Sequence, residues 1–106
     1  MMYLNYTRIE WNDPELINYF DEQKHYAYRT EDNKYIICPV VRQKTYKTRP
    51  PKTVKMFVIK RCSDKRRLYA VYDNGMKFER KFDTVKDAKR TVERMEDILY
   101  DRYDFY

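Results

Sequence analysis

A chain of 106 residues, 42% hydrophobic and 38% charged, with 23 Lys and Arg against 17 Asp and Glu for a net charge of +6, has the length of one domain and can bury a core without metals or disulfides. One glycine and one histidine exclude a glycine-rich phosphate loop and a histidine-built metal or catalytic centre. Leu, Ile and Val supply only 17 residues against 12 Tyr and 5 Phe, so the core is expected to be largely aromatic, with several tyrosines half in water because a phenol hydroxyl needs a partner.

In chain order, Met2–Ile9 alternates loosely through Tyr3, Leu4, Tyr6 and Ile9 and predicts an edge strand or arm. Asp13 as N-cap, Pro14 at the first helical position and Glu15 in the first turn predict a helix with Leu16, Ile17 and Phe20 as its apolar stripe, ending near Lys24. His25–Thr30 and Tyr35–Val41 read as a hairpin across the polar turn Glu31–Lys34, with Pro39 placing the second strand at an edge or a bulge. Residues 42–53 hold Arg42, Lys44, Lys47, Arg49 and Lys52 with no acid around Pro50 and Pro51, the composition of an exposed basic loop.

Val54–Arg61 and Leu68–Asp73 follow as strands, and Asn74-Gly75 reads as a two-residue hairpin turn into Met76–Phe82. Thr84 with Asp87 makes a capping box. Val85, Ala88, Val92, Met95, Leu99 and Tyr103 then recur at helical spacing, predicting a helix over 84–103 of about 20 residues. The expected fold class is α+β in a single domain, 1–106: a short N-terminal helix and hairpin, then a three-stranded antiparallel sheet over 54–82 packed by a long C-terminal helix.

A two-residue turn pairs Val71 with Phe78 and Tyr69 with Arg80, which places Val71, Met76, Phe78 and Phe82 on the face beneath that helix. Leu68, Ala70, Tyr72, Lys77, Glu79 and Lys81 fall on the other face, joined by Lys55, Phe57, Ile59 and Arg61. Phe57 and Tyr72 are then either core, which the two-sided apolarity of Val54–Arg61 favours, or a platform for unpaired bases.

Charge is distributed unevenly. Residues 1–41 sum to −3, residues 42–81 to +11 and residues 82–106 to −2, so the whole positive excess is central. Cys38 and Cys62 read as reduced thiols of a cytoplasmic protein, since no signal peptide and no membrane span is seen. His25 reads as a surface residue beside buried thiols, and pairs such as Glu96 with Asp97 or Asp101 with Asp104 as solvated charge. No cofactor or metal is expected. Two basic loops remain, residues 42–53 and Lys60–Arg67, the second with Lys60, Arg61, Lys65, Arg66 and Arg67 against Asp64. Each phosphate they neutralise releases counterions and strengthens binding.

The function expected is a non-catalytic nucleic-acid-binding protein. Arg42, Lys44, Lys47, Arg49, Lys60, Arg61, Lys65, Arg66 and Arg67 contact the phosphates of DNA or RNA, Tyr46 either stacks on a base or rests on the surface, Lys81 belongs to the same binding set, and any sequence choice comes from Lys77, Glu79 or the tyrosines. An alternative is an inhibitor that docks on a host nucleoprotein enzyme through tyrosines and basic loops. A third is a ribonuclease toxin of the RelE type, which works with Lys, Arg and Tyr.

The layout from Phe57 to Met95, three short strands, an Asn-Gly hairpin and an amphipathic helix after Phe82, resembles the AP2-like and integrase arm-binding modules of phages and mobile elements. It covers about 40 residues. The resemblance implies a sheet that enters the DNA major groove, with Arg61, Lys77, Glu79 and Lys81 at the reading positions. The short, Tyr- and Lys-rich, glycine-poor profile also resembles small phage-encoded proteins that disable host machinery, including anti-CRISPR proteins, which implies a CRISPR effector as a partner.

Overall fold

The computed structural model describes residues 5–20, 24–97 and 103–106. The elements are β1 (Tyr6–Glu10), α1 (Pro14–Tyr19), β2 (Tyr26–Thr30), β3 (Tyr35–Lys44), β4 (Lys52–Arg61), β5 (Leu68–Val71), β6 (Lys77–Glu79), β7 (Lys81–Phe82), α2 (Val85–Asp97) and β8 (Tyr103–Phe105). β1 to β4 form an antiparallel meander that β7 extends, in the order β1-β2-β3-β4-β7, and a second sheet has the order β6-β5-β8. The α+β layout of a three-stranded sheet under a long helix is therefore wrong: the molecule is mostly sheet, and its two helices among the described residues have six and 13 residues.

The register explains how one chain feeds two layers. Tyr28, Ile37, Ile59 and Phe82 occupy one face of the large sheet, because Tyr28 pairs with Ile37, Ile37 with Ile59 and Phe57 with Phe82. α2 lays Ala88, Val92 and Met95 on this face, and Leu68 of the small sheet joins the same core. Fully burying a side chain such as Val92 or Leu68 contributes about 1.5–3 kcal/mol. The opposite face gathers Ala27, Cys38 and Val58 with Trp11, Ile36 and Val40, while α1, capped by Asp13 at Glu15 N–H, packs on β3 and buries Leu16. The expected half-buried tyrosines are present. Tyr6 packs on the core and donates its hydroxyl to the Lys89 carbonyl at 3.5 Å.

Several boundaries differ from the sequence reading. α1 ends at Tyr19, since Phe20 is already extended, and residues 21–23 lie outside the described residues. The second helix begins as expected, with Thr84 Oγ1 accepting from Asp87 N–H at 3.2 Å, but it is described only to Asp97, and Leu99 lies outside the described residues. Tyr103 is not helical: it pairs with Ala70 in β8, where Tyr103 and Phe105 turn to the core and Asp104 turns out, a period of two. Pro39 is buried in the inner strand β3, not at an edge. The β2–β3 ladder covers only Tyr28–Arg29 against Ile36–Ile37 and has ended before Pro39, so the missing N–H costs no ladder bond. Met2–Leu4 lie outside the described residues, but β1 is the expected edge strand.

The Asn74-Gly75 turn closes with three loop residues, not two. Tyr72 N–H donates to the Met76 carbonyl and Gly75 N–H to the Tyr72 carbonyl, both at 2.9 Å, and Gly75 takes φ +81°, the left-handed residue of a bulged three-residue hairpin. Ala70 therefore pairs with Phe78 and Tyr69 with Glu79. A shift of one residue exchanges the faces. Tyr72 and Phe78 now share a side, ring centroids 5.4 Å apart and edge to face, and both are half exposed together with Met76. Phe57 packs against the core while Tyr72 is surface, so the two aromatics do not form one platform.

Candidate nucleic-acid interface

β3 and β4 pair over ten positions, from Tyr35 with Arg61 to Lys44 with Lys52. The 42–53 segment is thus not simply a loop: Arg42–Lys44 and Lys52–Thr53 continue the two strands, and only the intervening residues turn. Lys, Arg and Thr tolerate this because an exposed ribbon end buries neither face. The tip carries Arg42, Lys44, Lys47, Arg49 and Lys52, all exposed. Among the described residues, Lys44 is the tip cation with a carboxylate partner, Asp83, at 3.4 Å. The Arg49 guanidinium lies 4.9 Å over the Tyr46 ring, which holds both side chains at the surface.

The second basic loop closes on itself. Arg61 N–H donates to the Arg66 carbonyl at 2.9 Å, Lys65 N–H donates to the Arg61 carbonyl at 2.7 Å, and Lys65 adopts φ +60°. Asp64 sits inside this turn and accepts from Arg61 Nε at 3.1 Å and from Arg66 N–H at 3.2 Å. The hydrogen bond from Arg61 holds the Asp64 carboxyl down at about 2, and the same bond raises Arg61. Arg61 also lies 4.8 Å over the Phe105 ring. Arg67 donates to Glu79 at 2.7 Å, Lys81 stands 3.9 Å from the same carboxylate, and Lys60 lies 5.9 Å over Trp11. Lys65 and Arg66 are the exposed cations at this end, and Arg66 Nε stands 3.6 Å from Asp64 Oδ2.

β4 separates the two clusters. Ten residues at ~3.3 Å each set Lys52 and Arg61 about 30 Å apart, so the two loops do not merge into one basic patch. Nor do the four groove-reading positions share a face. Lys77 and Glu79 alternate onto the side of Tyr69, where Lys77 Nζ lies 3.7 Å over Tyr106 and Tyr106 meets Tyr69 at 5.4 Å. Lys81 follows in the same alternation, but Arg61 pairs with Tyr35 on the side that α2 covers. His25, read as a surface residue, is buried, and of the two thiols only Cys38 is fully buried.

Among the described residues, no helix is long and apolar enough to cross a membrane, and no group of three His, Cys, Asp or Glu side chains is placed to hold a metal. Comparison with family models, curated proteins and solved structures finds no match.

Proposed function

We propose that this is a non-catalytic nucleic-acid-binding protein of the cytoplasm whose main contact is the β3–β4 ribbon tip. The observation that carries this reading is the tip itself: five exposed cations, one of them held by a carboxylate, with a tyrosine among them. A two-stranded ribbon is narrow enough to enter a duplex major groove, and the same cations serve a single strand with Tyr46 as a stacking surface. Lys65 and Arg66 at the far end extend the phosphate track for a longer ligand. Labelled DNA or RNA should bind with an affinity that falls linearly with salt on logarithmic axes. Intact RNA after incubation with the protein separates this reading from a ribonuclease.

One observation favours a second reading, an inhibitor docked on a nucleoprotein enzyme such as a CRISPR effector: Tyr72, Met76 and Phe78 are exposed together on the hairpin, and aromatic side chains dominate binding hot spots. A partner recovered after nuclease treatment, and lost on Tyr72→Ala, supports it. Loss of the partner on nuclease digestion counts against it.

A further inference from the structure

β6 is an outer strand of the small sheet, and among the described residues it pairs only with β5. Its hydrogen-bond phase shows what the open edge offers. Arg80 N–H donates to the Leu68 carbonyl and Tyr72 N–H to the Met76 carbonyl, both at 2.9 Å, so Leu68–Arg80, Ala70–Phe78 and Tyr72–Met76 are the bonded pairs of this ladder. The Phe78 N–H and carbonyl thus point to β5, while those of Lys77 and Glu79 point away from it, along the edge. The other side of β5 has the matching phase, since Arg67 and Tyr106 exchange both main-chain bonds there, at 3.0 and 2.9 Å.

These outward groups fit a second copy of themselves. An antiparallel pair related by a two-fold axis at Phe78 sets Lys77 of each copy opposite Glu79 of the other, and the two residues exchange both main-chain bonds. Phe78 meets Phe78 as the non-bonded pair between them, with Cβ atoms about 4.5–5.5 Å apart. Axes at Lys77 or at Glu79 also align outward groups, but they oppose like charges, Lys77 with Lys77 or Glu79 with Glu79, which destabilises a pair. Charge therefore selects the Phe78 register. It does so without new side-chain bonds, because Lys77 already lies over Tyr106 at 3.7 Å and Glu79 already holds Arg67 at 2.7 Å, with Lys81 at 3.9 Å.

Exposure distinguishes this edge from the others. Phe78, Tyr72 and Met76 are half exposed on one side of it. β1, the outer strand of the large sheet, exposes Thr7, Arg8 and Glu10 and no apolar side chain. On β8, Phe105 is already covered by the Tyr35 ring and the Arg61 guanidinium.

We propose that this chain forms a two-fold dimer by antiparallel pairing of β6 with β6 of a second copy, which joins the small sheets into one in the order β8-β5-β6-β6-β5-β8. The strand has three residues, so the association is weak, with a Kd of about 100 µM. Neither functional reading is needed for this pairing.

Nuclease-treated protein is followed by sedimentation equilibrium from about 5 µM to about 1 mM. Salt of about 150 mM limits the repulsion between two chains of charge +6 to a screening length of ~8 Å. A reversible monomer–dimer equilibrium is expected. Lys77→Glu and Glu79→Lys each replace unlike pairs by like pairs and weaken it about tenfold or more. An equimolar mixture of the two variants, in which every opposed pair is again unlike, recovers the wild-type affinity. Should Glu79→Lys fail to fold for want of its bond to Arg67, amide exchange of the wild-type chain decides. The Lys77 and Glu79 N–H groups gain protection as concentration rises, while the Phe78 N–H, already bonded to β5, changes little. A chain that stays monomeric to about 1 mM, a dimer unchanged by Lys77→Glu, a mixture of folded variants that stays weak, or concentration-dependent protection on β1 instead of β6 overturns the proposal.

Discussion

Replacing Lys47, Arg49 and Lys52 together by alanine tests the ribbon tip quantitatively. These residues are exposed, and the substitutions leave Lys44 with Asp83 and remove the Arg49–Tyr46 stack, so fold stability should change by less than about 1 kcal/mol. Binding should change far more. The slope of log affinity against log salt is about −0.9 per duplex phosphate neutralised, so three lost contacts flatten it by about 2.7. Between roughly 50 and 200 mM salt, a five-contact tip loses about 500-fold in affinity, and the remaining two contacts lose about 12-fold. Fluorescence anisotropy of a labelled duplex, read at four or more salt concentrations, measures both slopes. The far-end variant Lys65→Ala with Arg66→Ala is the control. A duplex under about nine base pairs cannot span the 30 Å from the tip, so its slope on that probe stays at the wild-type value. A triple variant with the wild-type slope, or a larger loss in the far-end variant, refutes the tip as the main contact.

Other consequences follow from the same geometry. Gly75→Ala meets no steric obstacle, because an added Cβ has nothing within 4 Å, but it forces a side chain onto φ +81°; the strain costs about 1–2 kcal/mol and should lower the melting midpoint by roughly 5–10 °C. An unchanged midpoint contradicts the left-handed turn. Cys38 is fully buried, with its thiol pushed up to about 11 by that burial, while Cys62 is half-buried. A thiol reagent should therefore modify Cys62 first and reach Cys38 only on unfolding, and equal rates count against the core assignment. The Asp64 carboxyl, held at about 2 by Arg61, lies below its unfolded value of about 3.9, so its contribution to the 61–66 turn is complete above pH 4 and is lost as pH falls from about 4 towards 2. Side-chain carboxyl shifts followed through an acid titration check this, and a midpoint near 4 contradicts the Arg61 bond.

Local chemistry with a single solution was legible in the sequence. The Asp13 and Thr84 caps and the Glu31–Lys34 turn all stand in the structure. What failed depended on choices between nearly equal alternatives. Asn74-Gly75 fits a two- or a three-residue hairpin, and Gly75 is left-handed in both, so the register and every face assignment after it rested on one residue. Tyr103 continued the helical spacing by coincidence while Tyr103–Phe105 also alternates as a strand, and only pairing with β5 decides between them. The basic run at 42–53 looked like a loop because polar strands at a ribbon end bury nothing. For the site, residue types were legible and distances were not. Lys60–Arg67 and residues 42–53 stand close in sequence, yet β4 holds them at opposite ends, and Asp64 and Glu79 engage Arg61 and Arg67.

Lysine acetylation with mass-spectrometric readout, with and without a saturating short oligonucleotide at low salt, tests the ribbon-tip assignment most directly. Lys47 and Lys52, at the exposed tip, should lose reactivity on binding, while Lys65 at the far end and Lys86 on α2 keep theirs. Protection confined to Lys65 or Lys86, or no protection anywhere, contradicts the ribbon tip as the nucleic-acid contact.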